Sequence, residues 1–173
     1  MKNFILLGAF LFCLGMSAQQ QPTKQTVETN SPTLTNRDDQ QFIMEATKGA
    51  QTEIASARIA LNQTKNEDVR KFATQMITDH EKSLVTLYQM VNAQQTSDAT
   101  PTSALSQLSD AQFDQAYKEQ AIKSHTETIS LYENYLKNGK NDELRKWVES
   151  NLSIIRMHLK HAEQLNIHSQ NER

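Results

Sequence analysis

The sequence predicts an all-α fold, one four-helix bundle, and three observations predict it. From Asp38 to Ile167 the chain holds only two glycines, Gly49 and Gly139, and one proline, Pro101, so strong helix formers run almost uninterrupted. Within that stretch, apolar residues in four segments fall on one side when laid out at about 100° per residue. The links between those segments are short, long and short.

Helix one, about 38–63, aligns Phe42, Ala46, Ala50, Ile54, Ala57 and Leu61. Helix two, about 67–94, aligns Val69, Phe72, Ala73, Met76, Leu84, Leu87 and Val91. Helix three, about 110–137, starts at a Ser109/Asp110 cap and presents Phe113, Tyr117, Ala121, Ile129, Tyr132 and Leu136. Helix four, about 141–167, follows Gly139 and presents Leu144, Val148, Leu152, Ile155, Leu159 and Ala162.

Links of about three residues force helices one and two, and three and four, into antiparallel hairpins. The Ser/Thr/Pro101 link of about fifteen residues can run the length of a bundle, the connection pattern of ferritin-like folds with one crossover. An up-down-up-down bundle with one loose loop fits the same spacing, so both arrangements stay open at this point.

Residues 1–18 read as an export signal: Lys2 is the charged start, Phe4 to Gly15 the apolar run, and Ser17-Ala18 the small residues before a cut. Met16 is large for its place in the cleavage site, and a cut after Ser17 is the alternative. Phe12 precedes Cys13 where a bacterial lipoprotein has a small residue, which argues against a lipid anchor there. Signal removal takes away Cys13, the one cysteine, so disulfides and thiolate metal sites are excluded from the mature chain. Residues 19–37 hold two prolines, much Gln, Thr and Asn, and only Val27 and Leu34 as aliphatics, the composition of a flexible leader. The bundle domain is expected over 38–167, with a tail at 168–173.

Lys and Arg number 18 against 20 Asp and Glu, with no basic stripe, which excludes a nucleic-acid partner. No apolar segment beyond the signal is long enough for a membrane anchor. The chain is therefore expected to be exported, to the periplasm or in association with the outer membrane. Nothing in the sequence defines a protein partner or a homo-oligomer.

Each helix carries one metal-ligand residue type within its apolar stripe: Glu53, His80, His125 and His158. Three neutral imidazoles and a carboxylate suit one first-row transition metal ion, Fe, Zn, Mn or Cu, and bundles build such sites from facing side chains. No organic cofactor is indicated, and no nucleophile with its base or phosphate-cradling loop is present. The competing reading is a buried hydrogen-bond network that fixes helix register in a non-catalytic envelope or partner-binding protein. Counted from the short loops, Glu53 and His80 differ in depth by about four residues, or roughly 6 Å. Met76, one turn before His80, and Met157, next to His158, would soften the site toward Cu(I), although methionine at helical spacing is commonly core filling. His161 is expected at the rim, and Asp79 and Glu81 at the surface or as supports to the ligands.

The stretches "FIMEATKGAQTEIASARIAL", "VRKFATQMITDHEKS", "FDQAYKEQAIKSHTETISLYE" and "LRKWVESNLSIIRMHLKHA" resemble the exported bacterial family called domain of unknown function 4142, over roughly residues 40–167. The resemblance implies a ferritin-like bundle in the cell envelope and places Glu53, His80, Asp114, Tyr117, His125 and His158 at family-pattern positions. It implies no activity. Leu152-Ser153 departs from the family's frequent Leu-Pro, which implies a straighter helix four. Ferritins pair Glu with His three residues on, whereas Ile77, Ile122 and Ile155 occupy those places here, so a di-iron carboxylate centre is not expected.

Overall fold

A computed structural model describes residues 37–91 and 105–167. The expected signal, nearly all of the leader, the middle of the long link and the tail lie outside the described residues. Four helices appear in the expected order: α1 (Arg37–Gln63), α2 (Glu67–Met90), α3 (Asp110–Asn138) and α4 (Asp142–Gln164). A 3-10 turn, Leu105–Gln107, precedes α3.

The helix starts follow local chemistry. Asn66 and Asn141 have extended backbones, and each side-chain oxygen accepts from two backbone N–H groups of the first turn. These caps satisfy donors that a helix start leaves orphaned. Asp and Glu follow in both first turns, where the helix dipole favours negative charge. Ser109 holds the cap position of α3 as expected, but its hydroxyl bonds the Gln112 side chain at 3.0 Å rather than the backbone.

Two ends depart from the periodicity. Helix α2 stops at Met90 and α4 at Gln164, each about a turn before the expected boundary. At α4 the reason is Leu165, whose backbone turns extended so that its side chain enters the core while its carbonyl accepts from Lys118 Nζ at 2.7 Å.

The two hairpins close alike. Arg70 Nη1 donates to the Leu61 and Thr64 carbonyls, nine and six residues back. Arg145 Nη1 donates to the Leu136 and Gly139 carbonyls at the same two spacings. Each arginine plugs the C-terminal carbonyls of the preceding helix, which would otherwise lack partners. Across each hairpin one surface ion pair spans 23 residues with its charges exchanged, Arg58 with Glu81 and Glu133 with Arg156. The bundle is thus two similar helical hairpins packed together.

Gly139 ends α3 at an ordinary φ of −66°. Glycine is needed there for space, because a Cβ would lie 2.6 Å from the Tyr135 ring. That ring cannot easily yield, since it stacks on Phe42 at 4.0 Å and its hydroxyl donates to buried Asp39 at 2.5 Å. Gly139→Ala is therefore expected to cost about 1–3 kcal/mol, the usual penalty of overpacking, read as a lower urea midpoint.

Apolar side chains collect at the two ends of the bundle. One cluster joins Ala57 and Ala60 of α1, Phe72 and Met76 of α2, Phe113 and Tyr117 of α3, and Ala162 near the end of α4. The other joins Phe42 at the start of α1, Leu87 late in α2, Tyr132 and Tyr135 late in α3, and Leu144 and Trp147 early in α4. Helices α2 and α3 therefore both start at the first end and run parallel. An up-down-up-down bundle would have them antiparallel, so the crossover arrangement is the one adopted. Among the described residues no helix is long and apolar enough to cross a membrane.

Candidate metal centre

Between the two apolar clusters lies a polar layer. His80 of α2, His125 of α3 and His158 of α4 are 5%, 1% and 0% exposed, and their ring centroids are 5.7, 5.4 and 5.4 Å apart. One ligand-type nitrogen from each lies within 4.8 Å of the other two. It is the only group of three or more His, Asp or Glu side chains so gathered among the described residues. Periodicity sets this up: Met76, Ala121 and Ala162, one turn from His80, His125 and His158 respectively, are all core residues.

Hydrogen bonds fix the tautomers of two of the three rings. His125 Nδ1 lies 2.7 Å from the Ala121 carbonyl, a contact only an N–H can make, so its lone pair is on Nε2. His158 Nε2 lies 2.9 Å from Asp79 Oδ2, which places the proton on Nε2 and the lone pair on Nδ1. His125 Nε2, His158 Nδ1 and His80 Nε2 are the nitrogens buried without a partner. Asp79, whose side chain is 27% exposed, thus reaches from α2 to orient a ligand on α4, as carboxylates do behind metal-binding imidazoles.

Electrostatics keep the rings neutral. Burial pushes His80 well below its ordinary value, and proximity to His125 and His158 adds to this. Burial takes His125 down to about 4 despite its bond to Ala121, and lowers His158 although Asp79 pulls the other way. Neutral imidazole is the ligand form.

Glu53 is buried at 4% exposure, as its stripe position predicts, but it is not one of the gathered group. Its Oε1 accepts from the Ser124 hydroxyl and its Oε2 has no partner. Burial raises its carboxyl to about 7, with the Ser124 bond opposing. Glu53 instead meets α3 through Ser124, the neighbour of His125. Tyr117, fully buried, has its hydroxyl pushed well upward by burial and then by the Glu53 charge, so it stays protonated. Asp114 is buried on the same helix.

The remaining side chains divide clearly. Met76 is fully buried in the first apolar cluster, while Met157 is 37% exposed. His161 is exposed and meets Gln75 at 3.2 Å, a rim position. Glu81 pairs with Arg58 at the surface. The Asp79 bond to His158 and the Ser124 bond to Glu53 both cross between helices, and no sequence periodicity reports which side chains will meet there.

The family profile for "Domain of unknown function (DUF4142)" matches residues 23–165, and the chain belongs to that family. No curated protein matches the chain at a significant level. Among solved structures, CopM in the Cu(I)-bound form is similar in fold, with a TM-score of 0.62 and 22% identity over 72% of this chain and 92% of that one.

Proposed function

We propose that this member of the family is an exported metal-binding bundle holding one transition metal ion through His80, His125 and His158. The observation that carries the reading is the convergence of three buried, partnerless imidazole nitrogens. Leaving a buried polar atom without a partner costs about 1–3 kcal/mol, and three in one place is an expense that a shared cation removes at once. Among the surrounding protein groups none bonds those nitrogens, as a network serving only helix register would require.

Metal–nitrogen bonds near 2.0–2.1 Å would bring the three nitrogens to roughly 3.4 Å of each other, a small inward rotation from the observed spacing. Neutral nitrogen donors favour Cu(I) or Zn(II), because Fe and Mn are better served by carboxylates in the set. The Cu(I) named for CopM, a protein of the same fold, agrees with that preference. The roles that fit a closed site of this kind are storage, protection or redox handling of the ion in the envelope.

The test is metal content by mass spectrometry on protein purified from the periplasm without chelator or an added histidine tag. About one Cu or Zn per chain is expected, and protein that stays empty after titration with either ion overturns the reading.

A further inference from the structure

The triad draws its ligands from α2, α3 and α4, and α1 forms the remaining wall without contributing to it. Along that wall, between α1 and α3, runs a surface groove of about 380 Å³ with Glu53 and Ser124 in its lining. We infer that this groove is the route by which the cation reaches His80, His125 and His158, and that Glu53 is a transient ligand passing it inward. The inference rests on the metal reading above.

Three features of the groove support the route. Its mouth carries two exposed carboxylates, Glu45 and Glu127, beside Lys48, and Glu127 is held only at 4.0 Å by Lys123, so oxygen ligands for a cation line the entrance. Deeper in, Glu53 is nearly sealed from solvent, yet its Oε2 has no hydrogen-bond partner. A carboxylate oxygen left free at such depth is a ready ligand for an arriving ion. Finally, Ser124, which holds the other Glu53 oxygen, immediately precedes His125 in α3.

Ser124 also supplies a low-cost release. Its hydroxyl lies 3.0 Å from the Gln120 carbonyl and 3.3 Å from that of Ala121, so its proton has another acceptor whenever Glu53 turns away. Glu53 can therefore swing with an ion without stranding a buried donor. On the α2/α4 side the outward nitrogen of His158 is already bonded to Asp79.

Rapid mixing of the metal-free full chain with Zn(II) and, separately, with Cu(I) delivered from a coloured chelate would measure uptake. Glu53→Gln, which keeps an acceptor for Ser124, is expected to slow uptake at least about 10-fold while still reaching one ion per chain. Gly49→Leu tests the route sterically: a Cβ there has no neighbour nearer than Thr128 Oγ1 at 4.0 Å, so the variant folds but fills the groove. It too is expected to slow uptake and leave the final stoichiometry unchanged. Wild-type rates in both variants, or slowing only in Asp79→Asn, overturn the route. Loss of stoichiometry in Glu53→Gln overturns the transient role, because it makes Glu53 a permanent ligand. A wild type that holds neither ion at equilibrium overturns the metal reading, and the route with it.

Discussion

His125→Leu is expected to abolish metal binding and leave the metal-free protein at least as stable as the wild type. The two halves of this result have separate physical causes. Losing one of three ligands should weaken affinity well over 100-fold, beyond the 10- to 100-fold typical of losing a group that only supports a ligand. Stability behaves differently because the substitution removes an acceptor, Nε2, that is buried without a partner. Replacing such a group with an apolar one of similar size is neutral or stabilising. The Ala121 carbonyl is not stranded, since within α3 it still accepts the backbone N–H four residues on. A residue that merely held helices in register would show the reverse, with stability lost and no metal to lose. Isothermal titration with Zn(II) and Cu(I), together with urea unfolding of the metal-free proteins, reads both halves. Asp79→Ala, which removes the partner of His158 Nε2, is expected to fall in the 10- to 100-fold range of weakened affinity.

Metal-free protein is expected to lose stability steeply as pH falls from about 6.5 toward 4. All three histidines have folded pKa values below the ordinary 6.5. In that window the unfolded chain binds protons that the folded chain does not, so stability rises with pH and is fully present above about 6.5. His125 alone, held at about 4, accounts for roughly 3 kcal/mol across the window at about 1.4 kcal/mol per pH unit. Glu53 works in the opposite direction. Its folded value of about 7 lies above the ordinary 4.5, so the folded chain keeps a proton that the unfolded chain has released, and stability falls as pH rises through that range. Between about pH 4.5 and 7 Glu53 therefore subtracts from the rise that the histidines produce, and above 7 its effect is constant. Glu53→Gln should steepen that rise, leaving the variant up to about 3 kcal/mol more stable than wild type above pH 7 and little different below about pH 4.5. Urea midpoints at half-unit pH steps measure both slopes, and an unchanged slope between pH 4.5 and 7 in the variant would show that Glu53 is ionised at little cost.

The metal also enters this balance. An ion that binds the folded chain alone stabilises it in proportion to the logarithm of its concentration over Kd. Because the ligands are already neutral at pH 6, affinity is expected to stay nearly flat from pH 8 down to about 6, where ordinary histidines would begin to compete with protons.

The amino-acid sequence by itself determined the four helices, their order and their buried faces. Phe42, Ala46, Ala50 and Ile54, or Leu144, Val148, Leu152 and Ile155, can be buried together only on a helix, and their spacing depends on nothing outside the segment. It also determined that His80, His125 and His158 would lie inside, because each falls within such a face. Helix ends were less legible: α4 stops at Gln164 because Leu165 finds a better contact in the core than on another helical turn. Only the tertiary structure decided that α2 and α3 run parallel, a choice made by which ends of the two hairpins pack together. It alone decided that the three histidines meet one another while Glu53 meets Ser124, since what faces what across a bundle depends on how helices slide and turn against each other. The same packing brought Asp79 to His158 and Ser124 to Glu53, pairings between residues far apart in the chain. Periodicity assigns a residue to a face of its own helix, and the offset between helices is set by side chains interlocking across the whole interface.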